Sequence, residues 1–371
     1  MPVALVGTGR FAGQVAAKGI EDTAFYRYNR LTALNEVGGE PHWFGTSPAA
    51  FHAQNRQRLD SHPFGMITTS THDHKRGEDV RASLAVISER AREWTRRVRR
   101  WSRLNARKRR EVDGRRAPSA NDEYFLYQTL VGAWAPDFDP WDAGQRAAFE
   151  DRIVGAVLKA AREAKENTAW TAVDSDYEDA LDGFVRGILS PKRSRAFLRD
   201  LEAFAQEIAP TAAVNGLAQT VLKATSPGVP DFYQGVEYWD HTLVDPDNRR
   251  PVDFTARAHS LDALSQTPDA DEAADLLAHW RDGRIKQMIA ARILNHRAHT
   301  PDLFAQGTYE PLEAEGKHAD RLVTYLRRDG TSLCLTVAPR LSWPLTRTQD
   351  TPLPTGWGDT TLILPADLGG R

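Results

Sequence analysis

Thr71-His72-Asp73 follows a short β-prone run, Met66 to Thr69, and precedes a basic pair, Lys75-Arg76. A carboxylate at the C-terminal tip of a strand is where barrel enzymes keep groups that touch substrate. Asp73 is therefore the first candidate for chemistry, with His72 beside it as a hydrogen-bonding group. The bland alternative makes Asp73 a helix N-terminal carboxylate, favoured by the helix dipole. His72 and His74 stand at i and i+2, but a strand-end pair without a third ligand does not make a metal site. Asp245, Asp247, Asn248, Arg249 and Arg250 form a second polar cluster. It is either a turn locked by its own salt bridges or a set of substrate contacts.

These groups sit in a chain of 371 residues with formal net charge −2. That length supplies two or three cores. The charge gives no global attraction to nucleic acid or to an anionic membrane. With 41% hydrophobic and 26% charged residues the composition is globular. Ten Trp invite a sugar-stacking role, although buried Trp is the commoner case. The single cysteine, Cys334, lies in the β-patterned run TSLCLTV and reads as a buried structural thiol; no disulfide is possible. No run of about 18 apolar residues suggests a membrane span. The first residues show no signal-peptide core, so a soluble, cytoplasmic protein is expected.

The elements that must position these residues are mostly helical. Gly7, Gly9 and Gly13 are spaced one residue too wide for a dinucleotide fingerprint, and Lys18-Gly19 interrupts any helix after them. Phe25, Tyr28, Leu31 and Leu34 recur at helical spacing and stop at Gly38-Gly39. Thr46 or Ser47 caps a second helix with Pro48 at its first position. Residues 77 to 112 read as one long helical stretch, with Trp94, Val98, Trp101 and Leu104 on an inner stripe and a strongly basic outer face. A loop, GRRAPSAND, leads to a capping box at Ser119–Asp122 and a helix behind it. Helices continue over 145–168 and on to about 225. A second β-like segment lies within 226–240, and helices return over about 257–295. The tail changes character: two alternating runs meet at Asp329-Gly330 as a β-hairpin, and Leu362 and Leu364 suggest further strands.

Three phrases in this order, AAKGIEDTAFYRYNRLTALNEVGGEP, TTSTHDHKRGEDVRA and TSPGVPDFYQGVEYWDHTLVDPDNRRPVDF, resemble the malto-oligosyltrehalose synthase family of the α-amylase superfamily. NDEYFLYQTLVGAW, AREAKENTAW and DGRIKQMI fit the same family, so the resemblance runs from about residue 11 to about 340. It implies an α-rich α+β chain: the last part of a (β/α)8 barrel with a large helical insertion and a small C-terminal antiparallel β-domain. Residues 65–73 would be the seventh barrel strand and 229–235 the eighth. The implied divisions are 1–76 for the end of the barrel region, 77–220 for the helical insertion, 221–302 for the last strand and its helices, and 303–371 for the β-domain.

The family isomerises the reducing end of a maltodextrin, turning an α-1,4 link into an α,α-1,1 link without a cofactor. Such retaining chemistry needs a nucleophilic carboxylate, a general acid and a third carboxylate that steadies the charged ring. By resemblance Asp73 is the third, and His72 hydrogen-bonds a sugar hydroxyl. Tyr26, Arg27, Lys75 and Arg76 would wall the trap that holds the freed glucose. Tyr233, Gln234 and Glu237 would line it from the loop after the eighth strand. The acidic residues before Asp73 are Glu21, Asp22, Glu36, Glu40 and Asp60, and none follows a β-like run. Neither the nucleophile nor the acid can be matched. The expectation is a C-terminal portion of the enzyme, inactive alone and partnered by a missing N-terminal barrel half. The alternatives are a non-catalytic maltodextrin-binding or assembly module, and an amylase-like hydrolase or glucanotransferase.

Overall fold

The structure, a computed structural model, describes residue 13, residues 15–264 and residues 269–368. Gly7 and Gly9 of the glycine-rich start lie outside the described residues. Two compact units emerge. One holds the residues up to Phe44, Asp73–Gln206 and His241–Arg249; the other holds Gly45–His72, Glu207–Asp240 and the chain from Arg250.

The first unit opens with a wide helical segment, Ala17–Ala24, in which the Phe25 N–H reaches the Ile20 carbonyl and Thr23 Oγ1 donates to the Lys18 carbonyl at 2.8 Å. Such i→i+5 turns recur at functional sites. Lys18-Gly19 therefore lies inside a helical segment, where an interruption was expected. The helix expected to carry Phe25, Tyr28, Leu31 and Leu34 stops after one turn, Phe25–Arg27, and only a short 3-10 turn, Thr32–Leu34, follows. Asn35 Nδ2 donates to the carbonyls of Phe25 and Tyr28 at 2.8 and 2.7 Å. A local side chain thus takes carbonyls that a helix would have used.

The expected single helix over 77–112 is two, Glu78–Glu89 and Ala91–Leu104, broken where Arg90 leaves helical geometry (φ −121°, ψ 29°). After them, Arg110–Val112 and Arg115–Ala117 pair as an antiparallel hairpin. Its corner is Asp113-Gly114, both at positive φ, which is the two-residue turn that Asp-Gly favours. The sequence reading extended the helix to 112 and made the rest a loop, missing that signal. Trp94 and Trp101 are buried, as the inner stripe requires, but Leu104 at the helix end is exposed. Their rings meet Phe197, Phe204 and Tyr127 with centroids 5.5 to 6.0 Å apart. The Trp101 indole donates to Asp200 at 2.6 Å. Ser119 caps Ala120–Gly132 by accepting the Asp122 N–H at 3.1 Å. A Cβ at Gly132 would meet Val80 Cγ1 at 2.7 Å, so glycine lets the two helices close. Asp142 and Asp174 cap Ala143–Ala164 and Ser175–Leu189.

In the second unit Ser47 caps Pro48–Ser61, with proline at the first position as read from the sequence. Met66–Ile67 and Val229–Pro230 pair in parallel, Met66 opposite Val229 and Ile67 opposite Pro230. They are shorter than the segments 65–73 and 229–235 assigned to strands. Each has a ladder partner on one side only among the described residues, and no closed barrel forms there. Phe254–Ala263, Ala270–Ala278 and Arg284–His299 are the later helices. Thr308–Pro311, Leu322–Asp329 and Ser332–Pro339 form a three-stranded antiparallel sheet whose hairpin turns at Gly330. Ala314–Glu315 pairs with Thr361–Leu362, the later strand expected near Leu362. Tyr309, Val323 and Tyr325 of this sheet pack on Phe51, Leu59 and Leu222, and a second core gathers on Trp280. Cys334 is half-buried on its strand rather than fully buried, and burial raises its thiol pKa.

Candidate active site

Asp73 and His72 are both exposed, in a turn that precedes the Glu78–Glu89 helix. Gly77 is the cap of that helix, so Asp73 lies outside its first turn. The helix-terminal explanation of Asp73 is thereby removed. The turn is held from below by Glu36, a buried carboxylate. Its Oε1 accepts the Lys75 N–H at 2.8 Å and its Oε2 the Arg76 N–H at 3.1 Å. Beyond it the Gly77 N–H donates to the Thr242 carbonyl at 2.8 Å, and Arg76 bridges to Leu243. Asn248 Nδ2 donates to the His74 carbonyl at 3.3 Å. The backbone of the segment that carries Asp73 is thus fixed by Glu36 and by the 242–248 stretch.

Lys75 is buried, and its Nζ lies 3.3 Å from Asp22 Oδ1 and 5.2 Å from the centre of the Tyr26 ring. Lys18 reaches the other Asp22 oxygen at 2.6 Å. Its ammonium pKa is raised, chiefly by that bond, with the Asp73 charge among the smaller contributors. Burial alone would push the Asp22 carboxyl up, but the Lys18 hydrogen bond and the Lys75 charge outweigh it and hold it below the ordinary range. Burial raises the Tyr26 hydroxyl and lowers the Arg76 guanidinium, the latter opposed by Glu36. Arg76 lies over the Phe125 ring at 5.4 Å.

The structure therefore brings Tyr26 close to Lys75 and Arg76, which follow Asp73 by two and three residues. Arg27 Nε donates to the Ala164 carbonyl at 2.5 Å. Tyr233, Gln234 and Glu237 belong to the other unit, where Glu237 lies 2.5 Å from Arg257 Nε. There Lys223 Nζ donates to Thr69 at 2.9 Å and caps the Phe232 ring at 3.7 Å. Asp247 is gripped by Arg152, with Nε to Oδ1 and Nη2 to Oδ2 both at 3.0 Å, and Lys159 binds Asp245 at 2.6 Å. The 245–250 turn is locked, chiefly by cations of the Ala143–Ala164 helix; Arg249 lies 3.8 Å from Asp245. Sequence reasoning missed Asp22 and Glu36 as organisers. The signal for Asp22 was its i,i+4 spacing from Lys18; nothing local marks Glu36. Among the described residues no cluster of three or more His, Cys, Asp or Glu could hold a metal, and no helix is long and apolar enough to cross a membrane.

No protein-family model matches the sequence. The putative maltooligosyl trehalose synthase of Mycobacterium tuberculosis is 36% identical over 356 residues, which is 96% of this chain and 40% of that protein. The structure of maltooligosyltrehalose synthase from Arthrobacter ramosus superposes with a TM-score of 0.75 at 36% identity, over 94% of this chain and 40% of that one. The chain is homologous to part of the maltooligosyl trehalose synthases. The hypothetical maltooligosyl trehalose synthase of Sulfolobus tokodaii agrees, with a TM-score of 0.71 and 33% identity over 88% of this chain. The chain spans about 40% of the length of the curated synthases it matches.

Proposed function

We propose that these residues serve the intramolecular transglucosylation of a maltooligosyl trehalose synthase, converting the reducing-end α-1,4 link of a maltodextrin to an α,α-1,1 link. The observation that carries this is homology across nearly the whole chain together with superposition on solved synthases. In this reading the Met66–Ile67 and Val229–Pro230 pair is what the described residues hold of a barrel. Asp73 stands just past the first of these strands. A nucleophilic carboxylate bonds to the anomeric carbon as the α-1,4 bond breaks, and the departing glucose oxygen takes a proton from a carboxylic acid. Asp73 is the third carboxylate, which stabilises the positive charge that builds on the ring and is worth several kcal/mol in a dry site. The trapped glucose turns, its anomeric hydroxyl displaces the enzyme carboxylate, and the proton returns to the acid.

Lys75 and Tyr26 form the wall beneath Asp73, and Arg76 with Glu36 holds that wall in place. The nucleophile and the acid come from outside the described residues. The test is complementation. The 371-residue chain is mixed with the part of the Mycobacterium tuberculosis relative that lies outside the match, and maltopentaose is added. Loss of reducing ends without release of glucose is expected from the mixture. Free glucose or disproportionated chains would assign an amylase-like hydrolase or glucanotransferase instead. An inert mixture, under conditions where the relative's own matching segment restores activity, would refute the proposal.

A further inference from the structure

The stretch from Ala91 to Ala117 holds twelve Lys or Arg against three Asp or Glu, in a chain whose net charge is −2. On the Ala91–Leu104 helix, Arg92, Arg96, Arg99 and Arg103 follow i, i+4, i+7 and i+11 spacing. They form one row of roughly 16 Å along the axis. Arg96, Arg99 and Arg103 of the row line a groove of about 830 Å³, together with Arg116, Ala120, Glu123 and Tyr124. That volume falls within the range of small-molecule sites.

The cations of the groove divide into two groups. Arg96 pairs with Glu93 at 2.5 Å, and Arg116 bonds Glu123, which Arg109 also holds at 2.8 Å. Arg100 approaches Asp200 at 3.7 Å. Arg99 and Arg103 make no ion pair among the described residues, and both are exposed. Carboxylates near the groove are therefore already taken, and two guanidinium groups face it with their charge uncompensated.

We infer that this groove binds a small anion carrying two or more phosphate groups, at a site separate from the Asp73 turn. A diphosphate engages several guanidinium groups at once through bidentate bonds, which a single carboxylate does not. A long polyanion fits less well. Outside the 91–117 stretch acidic residues outnumber basic ones by eleven, so a strand leaving the groove meets like charge. The half-buried Tyr124 gives the wall an aromatic surface on which an organic body can rest.

The inference rests on the groove alone and stands or falls independently of the proposed reaction. Its test is calorimetric titration of the 371-residue chain with pyrophosphate and with ATP, at low salt and without divalent metal. The same titrations are made on Arg99→Gln/Arg103→Gln. Binding of at least one ligand is expected, about ten-fold or more weaker in the double variant, with the melting temperature of the unliganded chain unchanged. Tighter binding of ATP would place its organic body against Tyr124; equal binding would make the phosphates the sole determinant, and either order supports the site. No binding of either ligand, equal binding by the double variant, or binding of a long polyanion such as heparin alone would overturn it.

Discussion

Glu36 bears on Asp73 without touching substrate in the proposed reaction. It accepts two backbone N–H groups from the residues that follow the Asp73 turn. Charge-assisted bonds of this kind each contribute about 1.5–3 kcal/mol. Glu36→Ala is expected to destabilise the first unit by roughly 3 kcal/mol, because two buried donors lose their acceptor. Urea unfolding followed by circular dichroism reads this directly, and a loss below about 1 kcal/mol would show that water replaces the carboxylate. Asp22 gives a pH-dependent signature. Its folded pKa lies below the unfolded value of about 3.9. Its contribution is therefore complete above that unfolded value and is lost as pH falls through the folded one. Asp22→Asn should lose less stability between pH 6 and pH 3 than the unaltered chain. An equal loss in both would mean that Lys18 and Lys75 do not hold this carboxylate.

At the scale of elements, Gly228 has a requirement that no other residue meets. Its φ is +116°, and a Cβ there would lie 2.9 Å from the Gly65 carbonyl oxygen. That is the start of the parallel pair, where the Val229 N–H bonds the same carbonyl at 3.0 Å. Gly228→Ala should therefore cost about 1–3 kcal/mol and lower the thermal midpoint; an unchanged midpoint would mean the pair is not formed this way. The same strands show what sequence pattern conveys. Caps were legible, since Ser47 and Ser119 bond N–H groups three residues on and Pro48 acts through its own fixed φ. The Leu322–Asp329 and Ser332–Pro339 hairpin was legible because alternation and Asp329-Gly330 specify it locally. The Asp113-Gly114 hairpin carried an equally local signal, hidden by the arginines around it. The break at Arg90 and the early end of the Phe25–Arg27 turn had no local signature. They depend on packing and on Asn35 capturing the Phe25 and Tyr28 carbonyls, ten and seven residues back. Asp73, Lys75, Arg76 and Tyr26 were named together through the family phrases. The bond of Arg27 to the Ala164 carbonyl had no signal in the sequence, because adjacency to Tyr26 does not determine where a side chain bonds.

At the scale of the whole molecule, the second unit presents Phe64 and Met66, 67% and 72% exposed, with Val229 beside them at 42%. Exposed apolar groups next to a two-stranded parallel pair, with unpaired ladder groups at its edges, are poorly suited to water. In the proposed function other strands cover this edge. Binding of a complementing segment should therefore raise the thermal midpoint of the second unit, and a rise absent despite restored turnover would place the contact elsewhere. The central claim concerns Asp73 within that assembled reaction. The most direct measurement compares the rate of reducing-end loss from maltopentaose for the complemented chain and for its Asp73→Asn variant. The account predicts a fall of roughly 100- to 1,000-fold with the thermal midpoint unchanged. An Asp73→Asn rate within a few-fold of the unaltered chain would contradict it.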